Sequence, residues 1–437
     1  MKKNALLLLA VMAVGSLMLS CSSDDDENSS SGEPTMLVNM LSQPQPIFLT
    51  NEQKEFVNDN NQFTLNFLKT VNETDQSGKS FIYSPLSITY VLGMVNDAAV
   101  GQTEQELEQT LGFHKGGIQA VNDYCKTLID GLPKVDEDVT LNIANAIFLN
   151  KNYTLKDQFV KDMELYYDAK AEALNFASPE TKDHINDWCD KKTNGMIPEI
   201  LDEVNSNMVS YLLNAIYFKA DWTNKFDPKN TKTEAFTTES GNKKIPMMQQ
   251  DVLINYRKND TYSAVQIPYG NNKWSMMVML PEKGKTTNDV INLLVEKGLN
   301  TANYTGGEGD MFMPHQVDLK LPRYETSSDT NNIPNRLIGL LKKMGISLAF
   351  DEDFAEIPNM ANVPVYINMM RQKAKIKVNE EGSEAAAVTI AGLFETTAIP
   401  HPVTYEKATF HANRTFVYAI CEASSGVILF VGKFTGE

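Results

Sequence analysis

The stretch that decides the fold reads Val378-Asn379-Glu380-Glu381-Gly382-Ser383-Glu384-Ala385-Ala386-Ala387. A strand pattern at residues 375–380 leads into it, and small residues follow as far as Pro402. At a period of two, one side carries only uncharged residues: Ser383, Ala385, Ala387, Thr389, Ala391 and Leu393. The other side carries Glu384, which needs water. A segment patterned as a buried strand but placed as a loop is a candidate for two conformational states. A surface helix on the alanine run is the alternative that this pattern leaves open.

Outward from this stretch, the chain shows helical patterns first and strand patterns later. Ser84 and Pro85 predict a helix start, since Ser is a preferred N-cap and Pro fits the first helical position. Thr103-Glu104-Gln105-Glu106 predicts a capping box for a second helix. The apolar runs 141–149 and 209–218 have the length of central strands in a large sheet. Residues 416–419 and 427–431 predict a hairpin. Together these patterns indicate one α+β domain.

The composition excludes several functional classes. The chain has 437 residues, with 39 Lys and Arg against 56 Asp and Glu, and a formal net charge of −17. This acid excess argues against a nucleic-acid partner, which a basic surface would attract. Four cysteines are too few for a disulfide-stapled scaffold, and a chain of this length buries a large core without one.

No familiar catalytic signature occurs in the chain. A nucleophile elbow, a zinc-protease helix, a phosphate-binding loop and a dinucleotide fingerprint are all absent from the sequence. The histidines have no second ligand at metal-binding spacing; they are His114, His184, His315, His401 and His411. The sequence therefore predicts no catalytic residue, no metal site and no cofactor. An enzyme with a carboxylate pair that linear spacing hides stays open as an alternative.

The stretch around Gly382 resembles the hinge of the serpins, and further motifs resemble this family in the same order along the chain. They are Ser84-Pro85-Leu86-Ser87, Ile185-Asn186-Asp187-Trp188, Thr193-Asn194-Gly195-Met196-Ile197, the run from Asn214 to Trp222, Leu321-Pro322-Arg323-Tyr324 and Phe410-His411-Ala412-Asn413-Arg414. The resemblance covers about residues 51 to 437. Thr415 departs from it, since Pro is usual there.

The resemblance implies a fold and a mechanism. The fold is the α+β serpin fold: a single domain with a large central mixed β-sheet, further β-sheets, about eight or nine helices and an exposed reactive-centre loop. The mechanism is suicide inhibition, in which a protease attacks the loop and forms an acyl-enzyme. The cut loop then inserts into the large sheet as a new strand. The native state is accordingly expected to be kinetically trapped.

Residue roles follow from the same resemblance. The hinge comprises Glu381, Gly382, Ser383, Glu384, Ala385, Ala386, Ala387 and Val388. The shutter, in the middle of the large sheet, and the breach, where the loop enters it, comprise Ser84, Pro85, Ser87, Asn186, Trp222 and Gln372. Gln372 stands where the family often has His, so no pH-sensitive hydrogen bond is expected there. Small early hinge residues are cheap to bury, which favours an inhibitor over a non-inhibitory serpin.

The scissile region implied by the family spacing is Phe394, Glu395, Thr396 and Thr397. Thr396 before the scissile bond suits elastase-like proteases, Phe394 suits chymotrypsin-like ones and Glu395 suits acid-preferring ones. No Arg or Lys lies between Gly382 and Pro402, which argues against trypsin-like and thrombin-like targets. The expected partners are serine proteases, held covalently by a monomer, with papain-like cysteine proteases as a further class. A non-inhibitory binding or chaperone protein is the alternative.

The N-terminus reads as a targeting segment. Lys2 and Lys3 precede an apolar run of about 15 residues, short of the roughly 20 that span a bilayer, as in a secretory signal peptide. Leu17-Met18-Leu19-Ser20-Cys21 resembles the lipobox of bacterial lipoproteins, in which the cysteine is lipidated. A plain secretory signal is the alternative. The acidic run that follows resembles that of surface lipoproteins of Bacteroidetes-type bacteria, and a merely solvated acidic segment is the other interpretation.

The predicted organisation is a lipoprotein signal peptide at 1–20, a lipidated acidic tether at 21–50 and a serpin domain at 51–437. The protein is expected on the outer membrane, exposed to the outside and attached only through lipid on Cys21. Removal of two lysines with the signal lowers the net charge from −17 to −19. Three cysteines then remain, and they are predicted to be buried thiols: Cys125, Cys189 and Cys421.

Overall fold

A computed structural model describes residues 45–75, 77–113, 115–299, 311–329, 336–383 and 404–436 of the chain. The signal, Cys21 and most of the tether lie outside these residues. The α-helices are α1 (Asn51–Thr74), α2 (Pro85–Ala98), α3 (Gly101–Leu111), α4 (Gly117–Gly131), α5 (Asp157–Tyr167), α6 (Glu180–Lys192), α7 (Thr287–Lys297) and α8 (Arg336–Met344).

The β-strands form two sheets. The strands are β1 (Phe81–Tyr83), β2 (Thr140–Asn150), β3 (Lys170–Leu174), β4 (Ser210–Asp221), β5 (Lys232–Thr238), β6 (Gly241–Lys258), β7 (Tyr262–Tyr269), β8 (Trp274–Pro281), β9 (Met313–Pro322), β10 (Tyr324–Asp329), β11 (Met370–Val378), β12 (Gly382–Ser383), β13 (Lys407–His411), β14 (Phe416–Glu422) and β15 (Ile428–Phe434). The mixture of helices and large sheets is the predicted α+β class.

The mixed sheet has six strands in the order β10-β11-β12-β4-β2-β3. The two long apolar runs of the sequence are β2 and β4, which pair antiparallel with Asn145 opposite Asn214. Both strands are almost wholly buried because α2 packs on one face of the sheet and α6 on the other. Strands covered on both faces read as continuous apolar runs, which is the signal that predicted them.

The second sheet has nine strands, with β5 paired to β6 beside the path β1-β15-β14-β8-β7-β6-β9-β13. Its central strands β8, β14 and β15 are entirely buried, and α1, α2 and α7 pack against it. The predicted C-terminal hairpin is confirmed, since β14 and β15 are antiparallel neighbours. β13, the first strand after the loop, pairs only with β9 among the described strands and so lies at an edge.

Helix starts show one correct prediction and one wrong prediction. Ser84 caps α2 by accepting a hydrogen bond from the Ser87 N–H, and Pro85 is the first helical residue. The capping box at Thr103 is wrong, because α3 already begins at Gly101. The carboxylate of Glu356, far along the chain, instead accepts from the Gln102 N–H at 2.9 Å and stabilises the positive end of the helix.

The three cysteines of the body are free, buried thiols, as predicted. Burial raises the pKa of Cys125, Cys189 and Cys421, so these thiols are unreactive at neutral pH. Among the described helices, none combines the length and apolarity that a membrane crossing requires. The last residues of the predicted tether contact the body, where the Ile47 N–H donates to the Ser424 hydroxyl at 3.4 Å.

Gly432 provides a test of this packing. It lies in β15 between β1 and β14, and a Cβ there would come within 2.6 Å of the Phe81 carbonyl oxygen and clash with the Tyr418 ring. We expect Gly432→Ala to destabilise the fold by about 1–3 kcal/mol. Gly339→Ala, in open space on α8, should instead stabilise it by about 0.5–1 kcal/mol. Urea unfolding midpoints of both variants check this, and equal midpoints would contradict it.

Candidate functional site

The described chain enters the mixed sheet at the hinge. Gly382 and Ser383 form β12, which lies between β11 and β4. Gly382 stands opposite Asp221 and Ser383 opposite Ala220, in antiparallel register. A Cβ on Gly382 would clash with the Ala220 carbonyl oxygen, so glycine is what allows the two backbones to approach this closely.

The other predicted loop residues lie outside the described part of the chain. They are the hinge residues Glu384, Ala385, Ala386, Ala387 and Val388 and the scissile region Phe394, Glu395, Thr396 and Thr397. The described chain resumes at Thr404, three residues before β13. The two ends of the loop are therefore held by different sheets.

Past the end of β12, its two neighbours β11 and β4 pair directly with each other. Residues 370–374 of β11 pair directly and in parallel with residues 212–216 of β4. The six-stranded sheet is thus split at the Ser383 end and joined at the other end. A chain that continued from Ser383 along β4 would have to separate this joint, which is strand addition within a sheet.

Ser383 is fully buried and hydrogen-bonded. Its hydroxyl lies 2.6 Å from the hydroxyl of Tyr269, whose ring stacks on Trp222 with ring centroids 4.3 Å apart. The Trp222 indole in turn donates to the Asn379 carbonyl at 2.9 Å. Burial raises the pKa of the Tyr269 phenol well above its usual range, so the hydroxyl stays neutral and available to Ser383.

Charged residues fix the chain just before Gly382. Glu380, which is only 6% exposed, accepts from the Thr231 hydroxyl at 2.7 Å and pairs with Arg323 at 3.4 Å. Lys225 bridges Asp221 and Glu381 at 2.8 Å each. Although partial burial lowers the pKa of Lys225, its hydrogen bonds to the two carboxylates raise that pKa overall. The backbone that precedes Gly382 is accordingly a firm anchor.

The predicted shutter residues Ser84, Pro85, Ser87 and Gln372 lie together on the α2 face of the mixed sheet. The Gln372 side chain accepts from the Ser84 N–H at 3.1 Å and donates to the Ser84 carbonyl at 2.9 Å. It also donates to Asn214 at 3.0 Å, and Asn214 donates to the Ser87 hydroxyl at 2.8 Å. Because Gln372 is on β11 and Asn214 on β4, this hydrogen-bond network holds the two strands together.

Asn186 does not belong to this cluster. It lies on α6, on the opposite face of the sheet, and its side chain accepts from the N–H groups of Ile200 and Leu201 at 2.9 Å. It also donates to the Leu201 carbonyl at 2.8 Å. Asn186 therefore ties the segment after α6 to that helix.

Several functional residues were not predicted from the sequence. Asn214 and Arg323 lie inside motifs that resemble the family, but the motifs do not say which side chains meet. Tyr269 carried no local signal at all. Only Glu380 gave a cue to such contacts: its carboxylate stands in a strand pattern, and a buried carboxylate needs a partner. Within the described residues, no group of His, Cys, Asp and Glu side chains is arranged to hold a metal ion.

Comparison with known proteins agrees with this geometry. The family model described as Serpin (serine protease inhibitor) matches residues 58–436. Serpin B11 of Homo sapiens is 29% identical over 401 residues, which cover 86% of this chain and 97% of that protein. The native structure of Tengpin, a thermophilic serpin, has a TM-score of 0.74 at 25% identity and covers 90% of this chain and 97% of its own.

A second structure of the same fold is a complex with thyroxine. Human thyroxine-binding globulin has a TM-score of 0.73 at 25% identity, covering 87% of this chain and 98% of its own. The family model matches nearly the whole body, and the structure has two sheets with β12 lying between β11 and β4. The chain therefore belongs to the serpin family.

Proposed function

We propose that the protein is a suicide inhibitor of serine proteases that works by inserting its cleaved reactive-centre loop between β11 and β4. Members of this family are generally protease inhibitors rather than enzymes. The observation that carries the proposal is β12, in which Ser383 already occupies the mouth of the cleft. The target serine attacks the carbonyl before the scissile bond, and the peptide nitrogen leaves with the segment that continues into β13. The protease then stays bound, through the ester of the acyl-enzyme, to the part of the cut loop that is attached to the hinge.

The register of β12 supports this proposal. If the chain after Ser383 continued along the same ladder, Ala385 would stand opposite Phe218 and Ala387 opposite Ile216, both on the core side of β4. Glu384 would point to the other face, between Lys219 and Lys377. Small residues would thus meet the core, and the single early charge would meet two lysines. The uncharged side predicted from the sequence is the side that a continued ladder of this register would bury.

The energy for insertion comes from the new strand. About a dozen inserted residues gain ladder hydrogen bonds on both sides, at a net value of roughly 1 kcal/mol each, for a total on the order of 10–30 kcal/mol. Such a gain explains how a cut loop could drag a bound protease across the molecule. It also requires that the uncut state be held by a kinetic barrier.

A non-inhibitory carrier or chaperone is the second candidate, because thyroxine-binding globulin has the same fold and binds thyroxine. Two features favour inhibition here. The hinge residues from Ser383 to Ala387 include only one charge, and Ser383 is accommodated without an unpaired polar group. Phe394, Glu395 and Thr396 leave chymotrypsin-like, acid-preferring and elastase-like serine proteases as target classes, with papain-like cysteine proteases beside them.

We further propose that the protein is an outer-membrane lipoprotein, attached through Cys21 and exposed on the cell surface as a monomer. The support is the basic start, the short apolar run and the lipobox-like ending of residues 1–21. Acylation of one cysteine with several chains is sufficient for stable anchoring.

The inhibitor proposal predicts a covalent complex. Incubation with neutrophil elastase or chymotrypsin should give an adduct that survives boiling in detergent, since an ester bond joins the two chains. Mass spectrometry of the released C-terminal fragment then identifies the scissile bond among Phe394, Glu395 and Thr396. If only cleaved protein appears with every serine and cysteine protease tried, the molecule is a substrate and the carrier alternative gains support.

Ser383→Arg tests the entry of the hinge. The Ser383 site is fully buried beside Tyr269, so an arginine there must lose its hydration at a cost of several kcal/mol. We expect cleavage to persist while the adduct is lost, because deacylation outruns insertion. Thr404→Arg adds the same side chain at the exposed far end of the loop and should leave adduct formation intact. Full inhibition by Ser383→Arg would contradict the proposed entry point.

Cys21→Ala tests the anchor. Without the acylated thiol the full-length chain should leave the membrane fraction, and metabolic labelling with a fatty acid should be lost. Cys125→Ala serves as the control, since this thiol is buried in the body and should not affect either readout. Unchanged membrane attachment of Cys21→Ala would show that another feature holds the protein there.

A further inference from the structure

The chain before α1 is attached to the body at a defined place. The Gln45 N–H donates to the Val135 carbonyl at 3.4 Å, and the Ile47 N–H donates to the Ser424 hydroxyl at the same distance. The Ile47 side chain packs against the core beside Gly131, where a Cβ would come within 3.0 Å of it. The segment that follows the predicted anchor residue therefore joins the body beside the end of α4 and the β14–β15 turn.

This attachment point lies close to the hinge. The Val135 carbonyl also accepts from the Asn271 side chain at 3.2 Å, in the turn between β7 and β8. In the same turn, the Gly270 N–H donates to the Asp221 carbonyl at 3.0 Å. Asp221 stands opposite Gly382 in the register of β12. A short series of contacts thus leads from Val135 to the hinge.

The insertion path leads away from this attachment point. β4 runs from Ser210 to Asp221, which places its two ends about 35 Å apart at a rise of about 3.3 Å per residue. A strand inserted in the register of β12 would start beside Asp221 and end beside Ser210, because β12 is antiparallel to β4. The chain from Cys21 thus enters the body near the Asp221 end of β4, which we call the hinge end.

We propose that the lipid anchor holds the hinge end of β4, and with it the reactive-centre loop, on the membrane side of the body. The inference rests on the proposed inhibitor function and on the proposed acylation of Cys21. Between Cys21 and Gln45 the chain advances 24 residues, so the attachment point stays within about 80 Å of the bilayer even at full extension. Because the body cannot enter the bilayer, the end nearest to the attachment point stays nearer to the membrane on average.

The preferred partner follows from this orientation. A protease that is attached to the same membrane shares a thin layer with the loop, which raises their effective concentration without any new contact. A free protease must instead pass between the body and the bilayer to reach the loop. The partner that this arrangement fits is therefore a serine protease that is bound to the membrane carrying the inhibitor.

The first test measures the orientation and needs no protease. Full-length acylated protein is placed in vesicles whose lipids carry an acceptor dye, and a donor dye is attached to Lys229→Cys or, in a second sample, to Asn207→Cys. Both side chains are exposed. Lys229 follows Phe226, whose N–H donates to the Glu380 carbonyl beside the hinge, whereas Asn207 precedes the other end of β4. The cysteines of the body are buried thiols and should stay unlabelled.

We expect energy transfer to the lipid dye to be at least about twofold more efficient from the label at position 229, because the length of β4, about 35 Å, separates the two sites. Adding Cys21→Ala to either labelled variant should abolish the transfer, since that chain stays in solution. Equal transfer from both positions of the acylated protein, or stronger transfer from position 207, would overturn the orientation.

The second test compares two directions of attachment. In the inverted form, Cys21→Ala is combined with Asn207→Cys, and the new thiol is coupled to a maleimide lipid. Chymotrypsin with a histidine tag is held on the same vesicles by a chelating lipid. We expect the natively anchored protein to form the covalent adduct at least about tenfold faster than Cys21→Ala in solution, and the inverted form to lose most of this gain. Equal rates for the native and inverted forms would contradict the proposal.

The two tests separate this inference from the proposed function. If no form gives an adduct with chymotrypsin or neutrophil elastase but the energy transfer has the expected direction, the orientation stands and the inhibitor proposal fails. If the adduct forms equally fast in solution and in both attached forms, the inhibitor proposal stands and the preference for membrane-bound proteases fails.

Discussion

The rest of the structure depends on a short parallel joint between two strands. Residues 370–374 and 212–216 hold β11 against β4, and β12 occupies the place where this pairing ends. The side chain of Gln372 on β11 and that of Asn214 on β4 are hydrogen-bonded to each other across this pairing. The ion pairs Glu380–Arg323 and Lys225–Glu381 hold the chain just before Gly382 and at its own neighbour Glu381.

Different interactions hold the β11–β4 pair on its two faces. On the α2 face, Gln372 and Asn214 form a neutral, fully buried amide network that satisfies the Ser84 backbone. Neither amide titrates, so these bonds keep their strength across the physiological pH range. On the α6 face, Arg371 donates to the Ile200 carbonyl and Lys373 to the Glu199 carbonyl, and Arg371 also lies 3.8 Å from the Asp202 carboxylate.

The sequence was sufficient for features with a local physical signature. The cap at Ser84 and the long buried strands follow from residue order, because capping and periodicity act over a few residues. Contacts such as Ser383 with Tyr269 join residues 114 apart, and no local pattern encodes them. The capping box at Thr103 was wrong for the same reason, since the carboxylate that stabilises α3 is that of Glu356. Asn186 lies in a motif that resembles the family, yet only the packing of α6 shows on which face of the mixed sheet this residue lies.

Insertion along the observed register would exchange bonds rather than only break them. Continuing from Ser383, Thr389 would stand opposite both Asn214 and Gln372, the pair that closes the joint. Its hydroxyl can donate and accept, so it could bond each amide after they separate. The neutral amide network would then be restored with a strand between Gln372 and Asn214.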